Sequence, residues 1–352
     1  MKRRFLWLLA IALTITVSFS CIIEGSNLRA SLAEIAPDLY LPPRKDFRIV
    51  VISDLNSQYG ATDYEPEVDE AISLIPRWQP DLVLCGGDAI AGQKATLTKS
   101  EIEAMWAAFD LHLAQPLRKF AVPYGFTIGN HDGSGALKNG SLVFEEERNL
   151  ARAYWLQQQD RLGLNFVDRA NFPFYYSFER DDVFFLVWDA STQQIAPQQL
   201  NWVEQSLQSP AARRAKAKIV IGHLPLYPVA KAKNKPGEYL AEGRKLRSLL
   251  TQNGVLMYIS GHHHAYYPGK VTQLELLHAG ALGRGARELI NSDLSLGQTV
   301  TVIDLELETS EIIYTTYSAA TWKTIALEEL PAFIPSIDGK IFRHDLYKEA
   351  DS

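Results

Sequence analysis

Residues 47–56 read FRIVVISDLN, an apolar-dominated run from Phe47 to Ile52 that ends in Ser53, Asp54, Leu55 and Asn56. A short run rich in β-branched residues predicts a buried strand. The residues after the strand carry the information, because the same arrangement recurs four more times. Leu82–Cys85 leads into Gly86, Gly87 and Asp88, and Tyr124–Ile128 into Gly129, Asn130, His131 and Asp132. Lys218–Ile221 leads into Gly222 and His223, and Val255–Ile259 into Ser260, Gly261, His262, His263 and His264. Each predicted strand ends in small residues, which let the backbone turn sharply and approach a ligand closely. Each then presents Asp, Asn or His.

Amphipathic stretches separate these strands. Helices are predicted near Glu65–Arg77, Ser100–Ala114 and Phe144–Arg161, the last with its charged residues toward solvent. A hairpin is predicted from Phe174–Phe178 and Val183–Asp189 around the charged tip Glu179–Asp182. Further helices fall at Pro197–Leu207, with Pro near the start, and at Glu242–Thr251. Beyond Gly261 the pattern turns mostly to strands: Leu274–His278, Val300–Leu307, Glu311–Tyr317 and Thr321–Leu327. This alternation predicts sheets covered by helices, and in such sheets ligands bind where loops diverge at the carboxyl ends of strands. Five strand ends would gather Asp54, Asp88, Asn130, His223, His262 and His264 around one crevice. Oxygen and imidazole ligands together suit Zn, Mn or Fe, and carboxylates can bridge two ions. So many ligands exceed what one tetrahedral zinc needs, which makes two ions the economical expectation.

These residues resemble the calcineurin-like metallophosphoesterase family, whose pattern is D-x-H, GD, GNH, H and GHxH. Here the pattern stands as Asp54-Leu55-Asn56, Gly87-Asp88, Gly129-Asn130-His131-Asp132, Gly222-His223 and Gly261-His262-His263-His264. The resemblance implies an α/β (α+β) four-layer sandwich, with two mixed β-sheets packed face to face and flanked by helices. It also implies two divalent or trivalent metal ions and hydrolysis of a small phosphomonoester or phosphodiester by a metal-activated hydroxide. Asp88 would bridge the ions. Asn130, His223 and His262 would hold the second ion, and Asp54 and His264 the first. His131 would be the general acid, oriented by Asp132. The family has His where this chain has Asn56. An amide oxygen is a harder and weaker donor than imidazole, so the first ion should be held more weakly, or Mn or Fe preferred over Zn. Purple acid phosphatases also lack that His but use a tyrosine at the position of Ala91, so that subfamily is not supported. Tyr59 near the first loop is a possible substitute, though an ordinary loop aromatic is the simpler reading. His263 should point away from the metals. Arg284, Arg287, Lys231, Lys233 and Lys235 are basic neighbours for which surface roles are the simpler reading.

The remaining features bound the setting. The chain has 352 residues, 47% hydrophobic and 22% charged, with a net charge of −6. That composition fits a globular enzyme and lacks the basic surface of a general nucleic-acid binder. Lys2, Arg3 and Arg4 precede an uncharged apolar run to Ile23, the order of a signal sequence or membrane anchor. Cys21 resembles a lipoprotein cleavage site, with Ser18 standing where Leu is expected. The expectation is an exported protein in the periplasm or on the outer face of a membrane, tethered by residues 1–23 or by lipid. The predicted layout is a linker over 24–46, a catalytic domain over 47–330 and a tail over 331–352. A competing reading is a membrane-tethered, non-catalytic binding protein on the same scaffold, motivated by Asn56. Cys85 is predicted to be a buried small hydrophobe.

Overall fold

The computed structural model describes residues 36–348. The chain divides into two units at Tyr40. Residues 36–40, the described part of the first, form no helix or strand. The expected leader and Cys21 lie outside the described residues.

Among the described residues there are sixteen strands. The first eight are β1 (Phe47–Ile52), β2 (Leu82–Cys85), β3 (Tyr124–Phe126), β4 (Leu137–Lys138), β5 (Ser141–Leu142), β6 (Asn165–Asn171), β7 (Tyr175–Arg180) and β8 (Val183–Val187). The others are β9 (Ala217–Ile221), β10 (Met257–Ser260), β11 (Tyr267–Val271), β12 (Leu274–His278), β13 (Thr299–Glu306), β14 (Glu311–Ser318), β15 (Phe333–Ser336) and β16 (Gly339–Arg343). One mixed sheet has the order β14-β13-β1-β2-β3, and the other β15-β16-β11-β12-β10-β9-β8-β7-β6. Strands β1, β2 and β3 run parallel, as do β8, β9, β10 and β12.

The sheets pack face to face through aromatic side chains. Phe47 of β1 meets Phe185 of β8 with ring centroids 6.0 Å apart. The Tyr176 hydroxyl of β7 donates to the Phe126 carbonyl of β3 at 2.6 Å. Helices cover the outer faces. Trp78, at the end of the helix Pro66–Trp78, packs on Tyr317 of β14. Trp155, from the helix Glu145–Gln158, stacks on Phe126 at 3.6 Å. Helices Pro197–Leu207 and Gly243–Gln252 pack against β8 and β12. One buried ion pair fastens β1 to β13. The Arg48 guanidinium meets both Asp304 oxygens at 2.9 and 3.0 Å and donates to the carbonyls of Trp78 and Pro42. Those extra acceptors satisfy a charge that would otherwise be costly to bury.

Several expectations need correction. The expected strand Thr321–Leu327 is a turn with a single bridge, Tyr317 to Thr324. Its apolar residues, Trp322, Ile325, Ala326 and Leu327, do not alternate along the segment as a half-buried strand requires. The tail expected over 331–352 contributes β15 and β16, and Arg343 pairs with Gly269 to join them to the larger sheet. Glu147 does not face solvent with the other charges of its helix but is 3% exposed.

Candidate active site

The carboxyl ends of β1, β2 and β3 in one sheet and of β9 and β10 in the other open onto the same crevice. The backbone there is unusual. Asp54, Asp88, His262 and His264 have φ of 51, 54, 63 and 50°, the left-handed region that non-glycine residues rarely occupy. Strain of this kind persists where the surroundings over-determine it, and it concentrates at functional sites. Glycine makes the close approach possible. A Cβ on Gly129 would collide with the Asp88 carboxylate, and one on Gly261 with Ser53 Oγ and Asp54.

Two groups of ligating atoms result. Asp88, His223 and His262 form one, Asp54, Asp88 and His264 the other, so Asp88 lies between them. In the first group His223 Nε2 lies 3.0 Å from Asn130 Oδ1, 3.2 Å from Asp88 Oδ2 and 3.3 Å from His262 Nδ1. The outward-facing atoms of these side chains are already engaged. His223 Nδ1 is 2.7 Å from the Gly86 carbonyl, and His262 Nε2 is 2.8 Å from Glu238 Oε2. Asn130 Nδ2 donates to Gln93 Oε1 at 2.8 Å. With those protons directed outward, the atoms facing one another are lone-pair donors, a set that repels itself unless a cation, or a proton on His223, joins it. In the second group His264 Nε2 lies 3.2 Å from Asp54 Oδ1, while its Nδ1 faces the carbonyls of Arg284 and Gly285 at 3.0 and 3.1 Å. Ser53 Oγ and the His262 backbone N–H also donate to Asp54. Outer partners of this kind fix the imidazole tautomer and orientation of metal ligands. The donor set therefore fits two cations.

In the metal-free chain a proton on His223 takes the place of a cation. Burial alone would raise the Asp88 carboxyl, but His223 and His131 outweigh it and hold it well below the usual range. Burial pulls His223 down, yet Asp88 overcomes this and pushes it up to about 9. Burial takes His262 down to about 4 against the hydrogen bond it donates to Glu238, favouring the neutral imidazole that ligates.

His131 sits at the rim with its side chain 22% exposed. Its backbone N–H donates to Asp88 Oδ1 at 2.8 Å, its Nδ1 faces the Gly92 carbonyl at 3.3 Å, and its Nε2 is 3.9 Å from Asp88 Oδ2. The expectation that Asp132 orients this ring is corrected. The Asp132 oxygens accept from Ile90 N and Gly129 N, both at 2.9 Å, which ties the Asp88 and Asn130 loops together. The left-over orienting role belongs to the Gly92 carbonyl. Asn56 lies beside the cluster, 8% exposed, and its Nδ2 donates to the Ile90 carbonyl at 3.2 Å. The exposed Tyr59 ring packs on His131 at 5.3 Å. His263 points away, between the Val229 and Ala230 amides and the Glu238 carbonyl.

Sequence reasoning missed Gln93, Glu147 and Glu238. Glu238 closes the segment that holds Lys231, Lys233 and Lys235. An acid following three lysines was the available signal. Lys233, read as solvated, is 17% exposed and donates to Glu238 at 2.7 Å. Arg284 pairs with Glu65, and Lys231 with Glu288 and Asp293.

No curated protein sequence matches the chain. Among solved structures, the chain is similar to a purple acid phosphatase from yellow lupin (Lupinus luteus) seeds. That match has a TM-score of 0.57 and 16% identity, over 80% of this chain and 54% of that one. It is also similar to GAP50, the anchor in the inner membrane complex of Plasmodium, with a TM-score of 0.52 and 13% identity over 87% of this chain and 92% of that one. The chain spans about half the length of the lupin protein, and at these identities the likeness is one of fold. The sequence profile of the calcineurin-like phosphoesterase family matches residues 47–266, the span that carries all five strand ends. The chain belongs to the calcineurin-like phosphoesterase family.

Proposed function

We propose that this chain hydrolyses a small phosphomonoester or phosphodiester at a two-metal centre, with His131 as general acid. The observation that carries the reading is the convergence of lone-pair atoms whose outward N–H groups are tied off by Gly86, Glu238, Gln93 and the Arg284 and Gly285 carbonyls. Asp88, Asn130, His223 and His262 would hold one ion. Asp54, Asp88 and His264 would hold the other, with the weaker donor Asn56 beside it. Two such ions, when bound, clamp a phosphoryl group and lower the pKa of a water between them. The protein's own share is positioning and proton transfer. The Gly92 carbonyl engages His131 Nδ1, so Nε2 is the nitrogen left to hand a proton to the leaving oxygen. Tyr59 packs on the same ring and restricts its motion.

The same proposal includes export, with residues 1–23 as signal or anchor and 24–46 as a linker. Among the described residues, no helix is long and apolar enough to cross a membrane, so tethering would rest on that leader. The metals would be Mn, Fe or Zn, with the Asp54–His264 ion the more weakly held.

A second reading, a tethered non-catalytic binding protein, draws on Asn56, whose amide is committed to Ile90. One experiment separates the two. The chain is assayed on p-nitrophenyl phosphate and its bis-ester with added Mn, Fe or Zn, beside the substitution His131→Ala. Catalysis predicts turnover that falls about 10²–10⁴-fold in the variant while metal content is retained. Inactivity of the folded wild-type chain with every metal would refute it.

A further inference from the structure

Asn130 has two ends, and only its oxygen can serve a cation. Which end faces the cluster is decided by a partner outside the family motif. Asn130 Nδ2 donates to Gln93 Oε1 at 2.8 Å, and this orientation turns Oδ1 toward His223 Nε2. Gln93 adopts a costly conformation to do so, with φ +63°. Glu147 holds it there, with both carboxylate oxygens 2.8 Å from the Gln93 backbone nitrogen. Glu147 is 3% exposed and has no Lys, Arg or His partner among the described residues. A buried carboxylate without a counter-ion is expensive, so its place beside a strained turn calls for a reason.

The turn also grips His131. Gly92 N donates to the His131 carbonyl at 3.0 Å, and the Gly92 carbonyl faces His131 Nδ1. A Cβ on Gly92 would lie 2.5 Å from both Glu147 Oε1 and the His131 carbonyl oxygen. Only glycine lets the carboxylate and the His131 backbone close on the turn from both sides.

We infer that Glu147 and Gln93 are positioning residues: Glu147 fixes the turn at 91–93, and Gln93 holds the Asn130 amide oxygen toward His223 and His262. They thereby set the affinity of the ion bound there, and not of the ion bound by Asp54 and His264. The inference rests on the proposed ligand role of Asn130. An amide free to flip presents an NH2 group to the cluster for part of the time, and that group repels a cation.

The test is calorimetric titration of Mn²⁺ into the metal-stripped full chain. Gln93→Leu keeps the volume and removes the acceptor. One of two binding events should weaken about 10–100-fold, the range for loss of an outer-shell partner, while the other stays unchanged. Gln93→Glu keeps an acceptor for Asn130 Nδ2 and should restore the lost affinity. Should Gln93→Leu not fold, Gln93→Ala carries the same readout. Wild-type binding of both ions by the folded acceptor-less variant overturns the inference alone, as does failure of Gln93→Glu to rescue. Absence of any Mn²⁺ binding by the wild-type chain overturns the metal reading and this inference with it.

Discussion

Replacing Glu147 by glutamine should change stability in a pH-dependent way that follows from its burial. Burial, with smaller contributions from Asp132 and Asp88, raises this carboxyl from 4.5 to about 7, against the hydrogen bond from Gln93 N. A raised carboxyl pKa means the folded chain binds the proton more tightly than the unfolded chain does. Stability is therefore greatest at low pH and declines as pH rises from 4.5 through about 7. A shift of this size corresponds to about 3 kcal/mol at full ionisation. Between about pH 5 and about pH 8 the wild-type chain should lose about 2.5 kcal/mol from this one group. Glutamine can accept from Gln93 N at every pH, so Glu147→Gln removes that slope. The assay is urea unfolding of both metal-stripped chains at the two pH values. The variant should gain on the wild type by about 2.5 kcal/mol on going to the higher pH. An unchanged stability difference between the two chains across that range would refute the assignment of a buried, uncompensated carboxylate.

Three further outcomes are expected. Glu238→Ala removes the acceptor from His262 Nε2 and leaves Lys233, 3.3 Å from that nitrogen, without its nearest anion. One metal-binding event should weaken about 10–100-fold, read by competition with a chromophoric chelator, and Lys233→Ala in that background should recover part of it. Gly92→Ala should cost about 1–3 kcal/mol by overpacking against Glu147 and His131, measured by thermal unfolding, and lower turnover through displacement of His131. Phe126 and Trp155 stack at 3.6 Å in the layer behind β3, so Trp155→Ala should cost about 3–5 kcal/mol in urea unfolding.

The architecture was legible where two-sided burial leaves an unbroken apolar run. Phe47–Ile52 and Leu82–Cys85 emerge with the expected bounds, because a strand covered on both faces reads as a continuous apolar run. Strands without such a run were missed. In Asn165–Asn171 exposed and half-buried positions alternate, and its apolar residues are too sparse to stand out. Tyr267–Val271 contains Pro268 and Gly269, which read as a turn. The strand-end residues were legible because each follows a buried run at once. Their orienting partners were not. Gln93 and Glu147 come from a loop and a helix, and nothing in their local sequence distinguishes them from surface residues; Glu238 is marked only by the three lysines before it. Asp132 shows the converse limit: the family resemblance implied that it orients His131, whereas the short helical turn at Asn130–Gly133 directs its carboxylate to backbone amides.

Two adjoining cation sites that share Asp88, built by five strand ends, should be visible by anomalous diffraction from crystals of the full chain soaked in Mn²⁺. Two peaks are expected, one among Asp88, Asn130, His223 and His262 and one among Asp54, Asp88 and His264, both lost in Asp88→Asn. Soaked crystals with no peak in this crevice, or with ions only elsewhere on the molecule, would contradict that arrangement.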